Sequence, residues 1–127
     1  MSFQAERASI EGRLSDNWVT TPIAYDNVSF DAPDNSAWVR LGIINGASKY
    51  RALEGKKRHA GVIIIQLFAP KNQGSNLLRG YADTIAAIFE GVNFDTVTCR
   101  NASLLNVGIS QEWYQMNLSI PYWRDEP

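Results

Sequence analysis

The stretch Lys56–Gly91 reads KKRHAGVIIIQLFAP, then KNQGS, then NLLRGYADTIAAIFEG, and it decides the fold of this chain. In the first piece Ile63, Ile65 and Leu67 alternate with Val62, Ile64, Gln66 and Phe68. A period of two with apolar residues on both faces predicts a central strand, or one whose second face meets another subunit. Pro70 ends it. In the third piece Leu77, Leu78, Tyr81, Ile85, Ile88 and Phe89 recur at helical spacing, with Arg79, Asp83 and Glu90 off the stripe. Gly91 stands where a helix C-terminus favours positive φ.

Upstream, Ser2 is a candidate N-cap for a short helix carrying Phe3, Ile10 and Leu14 on one stripe. Gly12 weakens that helix by roughly 1 kcal/mol relative to Ala, so it needs a surface to dock on. Ile23–Ala24–Tyr25 can form a short edge strand. After the turn-rich DAPDNS at Asp31–Ser36, the segment Trp38–Ile44 alternates as a half-buried strand. Asn45–Gly55 then reads as a loop long enough to suspect a function. Downstream, three strands are predicted. They are Phe94–Arg100, a segment around Leu105, Val107 and Ile109, and a closing strand in which Tyr114, Met116, Leu118 and Ile120 alternate with Trp113, Gln115, Asn117 and Ser119 before Pro121. The expected architecture is α+β. It is a single mixed, mainly antiparallel sheet with two main helices packed on one face, in one domain spanning residues 1–127.

Composition narrows the function classes. With 45% hydrophobic and 20% charged residues the chain is of ordinary globular make-up, and its formal charge of -1 gives no global pull toward nucleic acid or an anionic membrane. Cys99 is the single cysteine, which excludes an internal disulfide. No signal peptide is expected at the N-terminus, and the run Val62–Ile65 is far too short to span a bilayer. His59, the lone histidine, lies forty positions from Cys99 without further ligands at zinc spacing, so both are expected to be structural and no metal or cofactor is implied. A Gly-x-Ser-x-Gly elbow is absent. PKNQGS lacks the Gly-Lys-Ser/Thr of a phosphate loop, and the carboxylates are not paired by spacing, so no catalytic residue is assigned.

Two features remain as candidate contact sites. Lys49, Arg51, Lys56, Lys57 and Arg58 hold five of the twelve basic residues, offset locally by Glu54 alone. A solvated loop is the bland account; a contact with DNA phosphates or with an acidic face of a neighbouring subunit is the sharper one. Trp38 and Trp113 fall on the non-core faces of their strands, where exposed aromatics favour interfaces, and Ile64 shares such a face.

MSFQAERASIEGRL, KKRHAGVIIIQLFAPKNQG, ADTIAAIF and EWYQMNLSIPY together resemble a family of small tailed-phage proteins similar to tail terminators, over Ser2 to about Tyr122. Arg58–His59–Ala60–Gly61 matches the family's basic-His-x-Gly lead-in to the central strand, and Trp113–Tyr114 and Ile120–Pro121–Tyr122 match its closing strand. Ile63–Ile64–Ile65 departs from a pattern that more often alternates apolar with polar. The resemblance implies a non-enzymatic virion protein, present in the host cytoplasm during assembly. It forms a ring, expected to be a hexamer, on the head-proximal end of the tail tube. There it stops tube polymerisation, meets the tube protein and the head-completion protein, and lets DNA through its lumen without sequence-specific binding. Alternatives are a neck or minor tail protein of the same fold, or a small DNA-contacting module using the basic segment 49–58.

Overall fold

The computed structural model describes residues 2–51, 56–72 and 75–126 of the chain, positions 50 and 51 by their backbone alone. Two helices, α1 (Phe3–Asn17) and α2 (Asn76–Phe89), accompany seven strands: β1 (Ile23–Tyr25), β2 (Trp38–Arg51), β3 (Lys56–Pro70), β4 (Asn93–Phe94), β5 (Val97–Cys99), β6 (Ser103–Ser110) and β7 (Trp113–Glu126). They form one sheet in the order β1-β2-β3-β7-β5-β4, with β6 also paired to β7. Only β1 runs parallel to its neighbour, with Ile23 opposite Val39, so the sheet is mixed and mainly antiparallel.

β3 is central, as its two-faced apolar pattern predicts. It pairs along its length with β2, from Trp38 opposite Phe68 to Arg51 opposite Lys56, and with β7, from Pro70 opposite Trp113 to Lys57 opposite Glu126. Ile63, Ile65 and Leu67 are fully buried, whereas Val62, Ile64 and Phe68 on the other face are half-buried. The buried set joins Val39 and Leu41 of β2, Met116, Leu118 and Ile120 of β7, Ile10 and Leu14 of α1, and Leu78, Ile85 and Phe89 of α2 in one core. Burying each such aliphatic side chain contributes roughly 1.5–3 kcal/mol, which offsets the weak intrinsic stability of α1.

Local chemistry sets the helix ends. Ser2 Oγ accepts from Ala5 N–H at 3.0 Å, the expected N-cap. Gly91 follows α2 with φ +67°. The carbonyl of Ile88 at the end of α2 accepts two hydrogen bonds from the Arg13 guanidinium, at 2.9 and 3.1 Å, which ties α1 to α2 and sets a cation at a helix C-terminus.

Several expectations are corrected. The segment from Asn45 is not a loop: β2 continues to Arg51 through a bulge between Asn45 and Ser48, because β3 supplies backbone partners as far as Lys56. The rest of the expected loop, residues 52–55, and Gln73 and Gly74 of the second turn lie outside the described residues. Phe94–Arg100 is not one strand but the tight hairpin β4–β5, turned by Asp95 and Thr96, both at positive φ. Pro121 does not close the last strand. It lies at the junction where one side of β7 passes from β6 to β5, the place in a ladder where a missing N–H does least harm. Leu77 is exposed on α2; Ala82 holds the core position instead. Among the described residues no helix is long and apolar enough to cross a membrane.

Candidate assembly surfaces

The first unusual feature is a buried polar seam where α1 crosses the sheet. Glu6 follows the same helical spacing as Ile10 and Leu14 and is 2% exposed. Arg124, in the extension of β7 beyond Pro121, is fully buried and donates from Nε to Glu6 Oε1 at 2.7 Å. Asn45 Nδ2 donates to Glu6 Oε2 at 3.0 Å and lies 3.4 Å from the Tyr122 hydroxyl. Burial, then the charge and hydrogen bond of Glu6, push the Tyr122 phenol well above its ordinary range.

The seam continues outward through His59, also buried, whose Nδ1 is 2.5 Å from Ser48 Oγ and whose Nε2 is 3.3 Å from Glu126 Oε2. Phe3 meets the His59 ring edge-on at 4.9 Å, and the Arg124 guanidinium lies 5.1 Å from the Phe3 ring centre. Ser48, His59 and Glu126 have the composition of a nucleophilic relay. Here they link β2, β3 and β7 side by side and continue into Arg124, whose Nη1 is 3.3 Å from Glu126 Oε1. Hydrogen bonds from His59 first, and Arg124 second, hold the Glu126 carboxyl below its ordinary value of 4.5. A depressed carboxylate stabilises the fold above its unfolded-state pKa and ceases to as pH falls through the folded value. Glu126→Gln is therefore expected to lower the melting temperature at pH 7, with the gap to the parent closing as a pH series descends below about 4.

The basic residues lie at the same end of the sheet. Arg58 forms a bidentate pair with Asp125, at 2.8 and 3.1 Å, and stacks 3.9 Å over the Trp123 ring. That pair raises the Arg58 pKa further above its already high value. Lys57 is in register with Glu126, Lys49 with Arg58, and Lys56 with Arg51, so the cluster faces the acidic end of β7. The Arg51 side chain lies outside the described residues. Sequence distance concealed this balance, because Asp125 and Glu126 come at the far end of the chain.

On the sheet face opposite the buried set, Trp38 stacks on Phe68 at 4.1 Å and meets Phe30 at 5.0 Å and Trp113 edge-on at 5.9 Å. Trp38 is thus on the non-core face, as expected, but its neighbours leave it only 7% exposed; Trp113 is half-buried. Further along the same face Ile64 lies between Gly42 and Ser119 in register, in a shallow depression shared with Asp26, Ile44 and Gln66. Cys99 is buried, and burial pushes its thiol up to about 11. Among the described residues no group of three or more His, Cys, Asp or Glu is placed to hold a metal ion.

The sequence pattern of the phage tail terminator protein family matches residues 7–122. The chain belongs to that family. The match takes in α1 from Arg7 onward, the whole β2–β3–β7 frame up to Tyr122, and the lead-in Arg58–Gly61. Sixteen chains of known structure resemble this phage tail protein. One of them, whose name states no function, aligns over 98% of this chain and 96% of its own, with a TM-score of 0.75 and 23% identity, which speaks to the fold alone. No curated protein sequence matches. The family is a structural one, so this tail terminator family member is a structural component of the virion.

Glu6 and Arg124 were missed by sequence reading. Spacing of four from Ile10 could have found Glu6; alternation with Ile120 and Tyr122 could have found Arg124 once β7 is carried past Pro121.

Proposed function

We propose that this chain is the terminator of a phage tail. It forms a homo-oligomeric ring, a hexamer in our reading, on the head-proximal end of the tail tube. The ring stops tube polymerisation and joins the tail to the head through a head-completion protein, with the genome passing through the lumen by non-specific contacts. The family match over residues 7–122 carries this reading.

The fold supports it physically. Both helices share one core with Ile63, Ile65 and Leu67, which supports reading the two of them as the cover of one sheet face. The opposite face keeps Val62, Ile64 and Phe68 half-buried in the isolated chain, an apolar strip suited to a neighbouring subunit. Lys49, Arg51, Lys56, Lys57 and Arg58 then act together with Asp125 and Glu126 as a polar rim of mixed charge that selects the neighbour, and Trp38 and Trp113 stiffen the Phe68 end of the strip on the same face.

Mass photometry and sedimentation of the parent, alone and with tube protein, test the ring. Ile64→Asp is expected to abolish assembly while leaving the monomer folded, its stability lowered by no more than the roughly 0.5–3 kcal/mol ordinary for a single substitution. Unfolding of the monomer by that substitution would instead make the face core.

A further inference from the structure

The edges of the sheet, more than its faces, carry an unabsorbed signal. β6 is an edge strand of sequence SLLNVGIS, without charge or proline over its length. Its one strand partner among the described residues is β7. Leu105 is 62% exposed and Ile109 66%, with Leu104 and Val107 also open. Register places Leu105 on the face of Asn117 and Ile64, and Leu104 and Ile109 on the face of Leu118 and Tyr114, so both faces of this strand are apolar and uncovered. Natural edges are ordinarily blunted by charge, proline or a cover; an uncharged aliphatic edge is a template for another strand.

The opposite side of the same sheet is also open. β1 covers β2 only from Val39 to Leu41, and among the described residues no strand pairs with that side of β2 from Gly42 onward. Ile44 in this open stretch is 61% exposed and, being in register with Val62, stands on the same sheet face as Leu105. β6 is antiparallel to β7, β7 to β3, and β3 to β2, so β6 runs opposite to β2. A second copy in the same orientation therefore brings its β2 against β6 as an antiparallel pair, with Ile44 and Leu105 on one face. The two open edges also lie at opposite ends of the strands, since β6 covers the Trp113–Ser119 half of β7. Each copy is then staggered along its neighbour, as strands in closed assemblies are.

We infer that subunits of the ring join by strand addition, the β6 edge of one copy pairing with the open β2 edge of the next. The occupant is a second copy because one molecule carries both halves of a head-to-tail contact, which closes on rotation. The inference rests on the ring reading and specifies its seam.

Cysteine pairing tests it on the full chain with Cys99→Ala. Ser103→Cys or Leu105→Cys protein is mixed with Ile44→Cys or Lys49→Cys protein, all four positions on one sheet face, and oxidised. A covalent dimer containing one copy of each variant, absent when either variant is oxidised alone, is the expected result. Leu105→Lys should abolish assembly with unchanged far-UV circular dichroism and melting. A ring that yields no mixed cross-link in any combination, a β6-to-β6 cross-link from Leu105→Cys alone, or intact assembly in Leu105→Lys overturns the strand-addition seam and leaves the ring standing. A parent that stays monomeric at every concentration and with tube protein overturns the ring reading, and the seam with it.

Discussion

Arg124→Ala is expected to lower the melting temperature by about 10–25 °C. Arg124 and Glu6 are both buried, and their 2.7 Å contact is the centre of the seam that docks α1. Removing the guanidinium leaves the Glu6 carboxylate in a low-dielectric site with only the neutral Asn45 amide and Tyr122 hydroxyl among the donors described above, and breaking a buried pair in this way costs about 3–5 kcal/mol. At about 3–5 °C per kcal/mol for a domain of this size, that gives the stated range. The loss extends beyond the Glu6 pair, because Phe3 and Glu126 also lean on Arg124. The double replacement Glu6→Leu with Arg124→Met removes both charges and keeps the volume, and it is expected to melt within a few degrees of the parent. Calorimetry on the four corners of this cycle checks the point. A single-variant loss under about 1 kcal/mol would show that water reaches the pair.

That seam marks the boundary of what the amino-acid order made legible. The frame was readable because hydrophobic period is a local signal: Tyr114–Ile120 and the α2 stripe each declare one element and one buried side, and Ile63–Leu67 declares a strand apolar on both. The closing turn of β4–β5 was not, because Asp95 and Thr96 adopt positive φ without the glycine or asparagine that usually announces it. The long β2–β3 hairpin was hidden for a related reason. Asn45, Ser48 and Lys49, with Gly46 in the bulge between them, are poor strand material, held extended by ladder partners of Asn45, Ser48 and Lys49 on β3 that local propensity cannot see. Site features follow the same rule. Lys49–Arg58 stood out as a basic cluster, yet its meaning depends on Asp125 and Glu126, which only the β3–β7 register brings opposite. A two-faced apolar β3 already suggested a subunit contact on the Ile64 face. That the edges of β2 and β6 lack a further strand among the described residues, however, follows from topology and could not be read from either strand alone.

Gly61→Ala is the second substitution expected to do large damage, and it shows why the basic-His-x-Gly lead-in ends in glycine. Gly61 sits mid-strand on the buried face of β3, opposite Asn45 on β2 and Tyr122 on β7. A Cβ there would stand 2.6 Å from the Tyr122 hydroxyl oxygen, 2.8 Å from its Cε1 and 2.7 Å from the carbonyl oxygen of Ile44. The Ile44 contact is backbone within a paired strand and yields only by distorting the hairpin. The Tyr122 contacts yield only by moving a phenol hydrogen-bonded to Glu6, which would disturb the Arg124 pair as well. Overpacking of this kind costs about 1–3 kcal/mol, and the loosened buried hydrogen bond adds about 1 kcal/mol more. By contrast Gly80 on α2 has open space around it, and alanine there is expected to stabilise by up to about 1 kcal/mol, the helix-propensity difference. Tyr122→Phe removes the nearest clashing atom and leaves the other two. Gly61→Ala combined with Tyr122→Phe should therefore lose less than the sum of the two single changes, but remain well below the parent. Strict additivity in denaturant titrations would mean that the hairpin backbone, and not the seam, takes up the added methyl group.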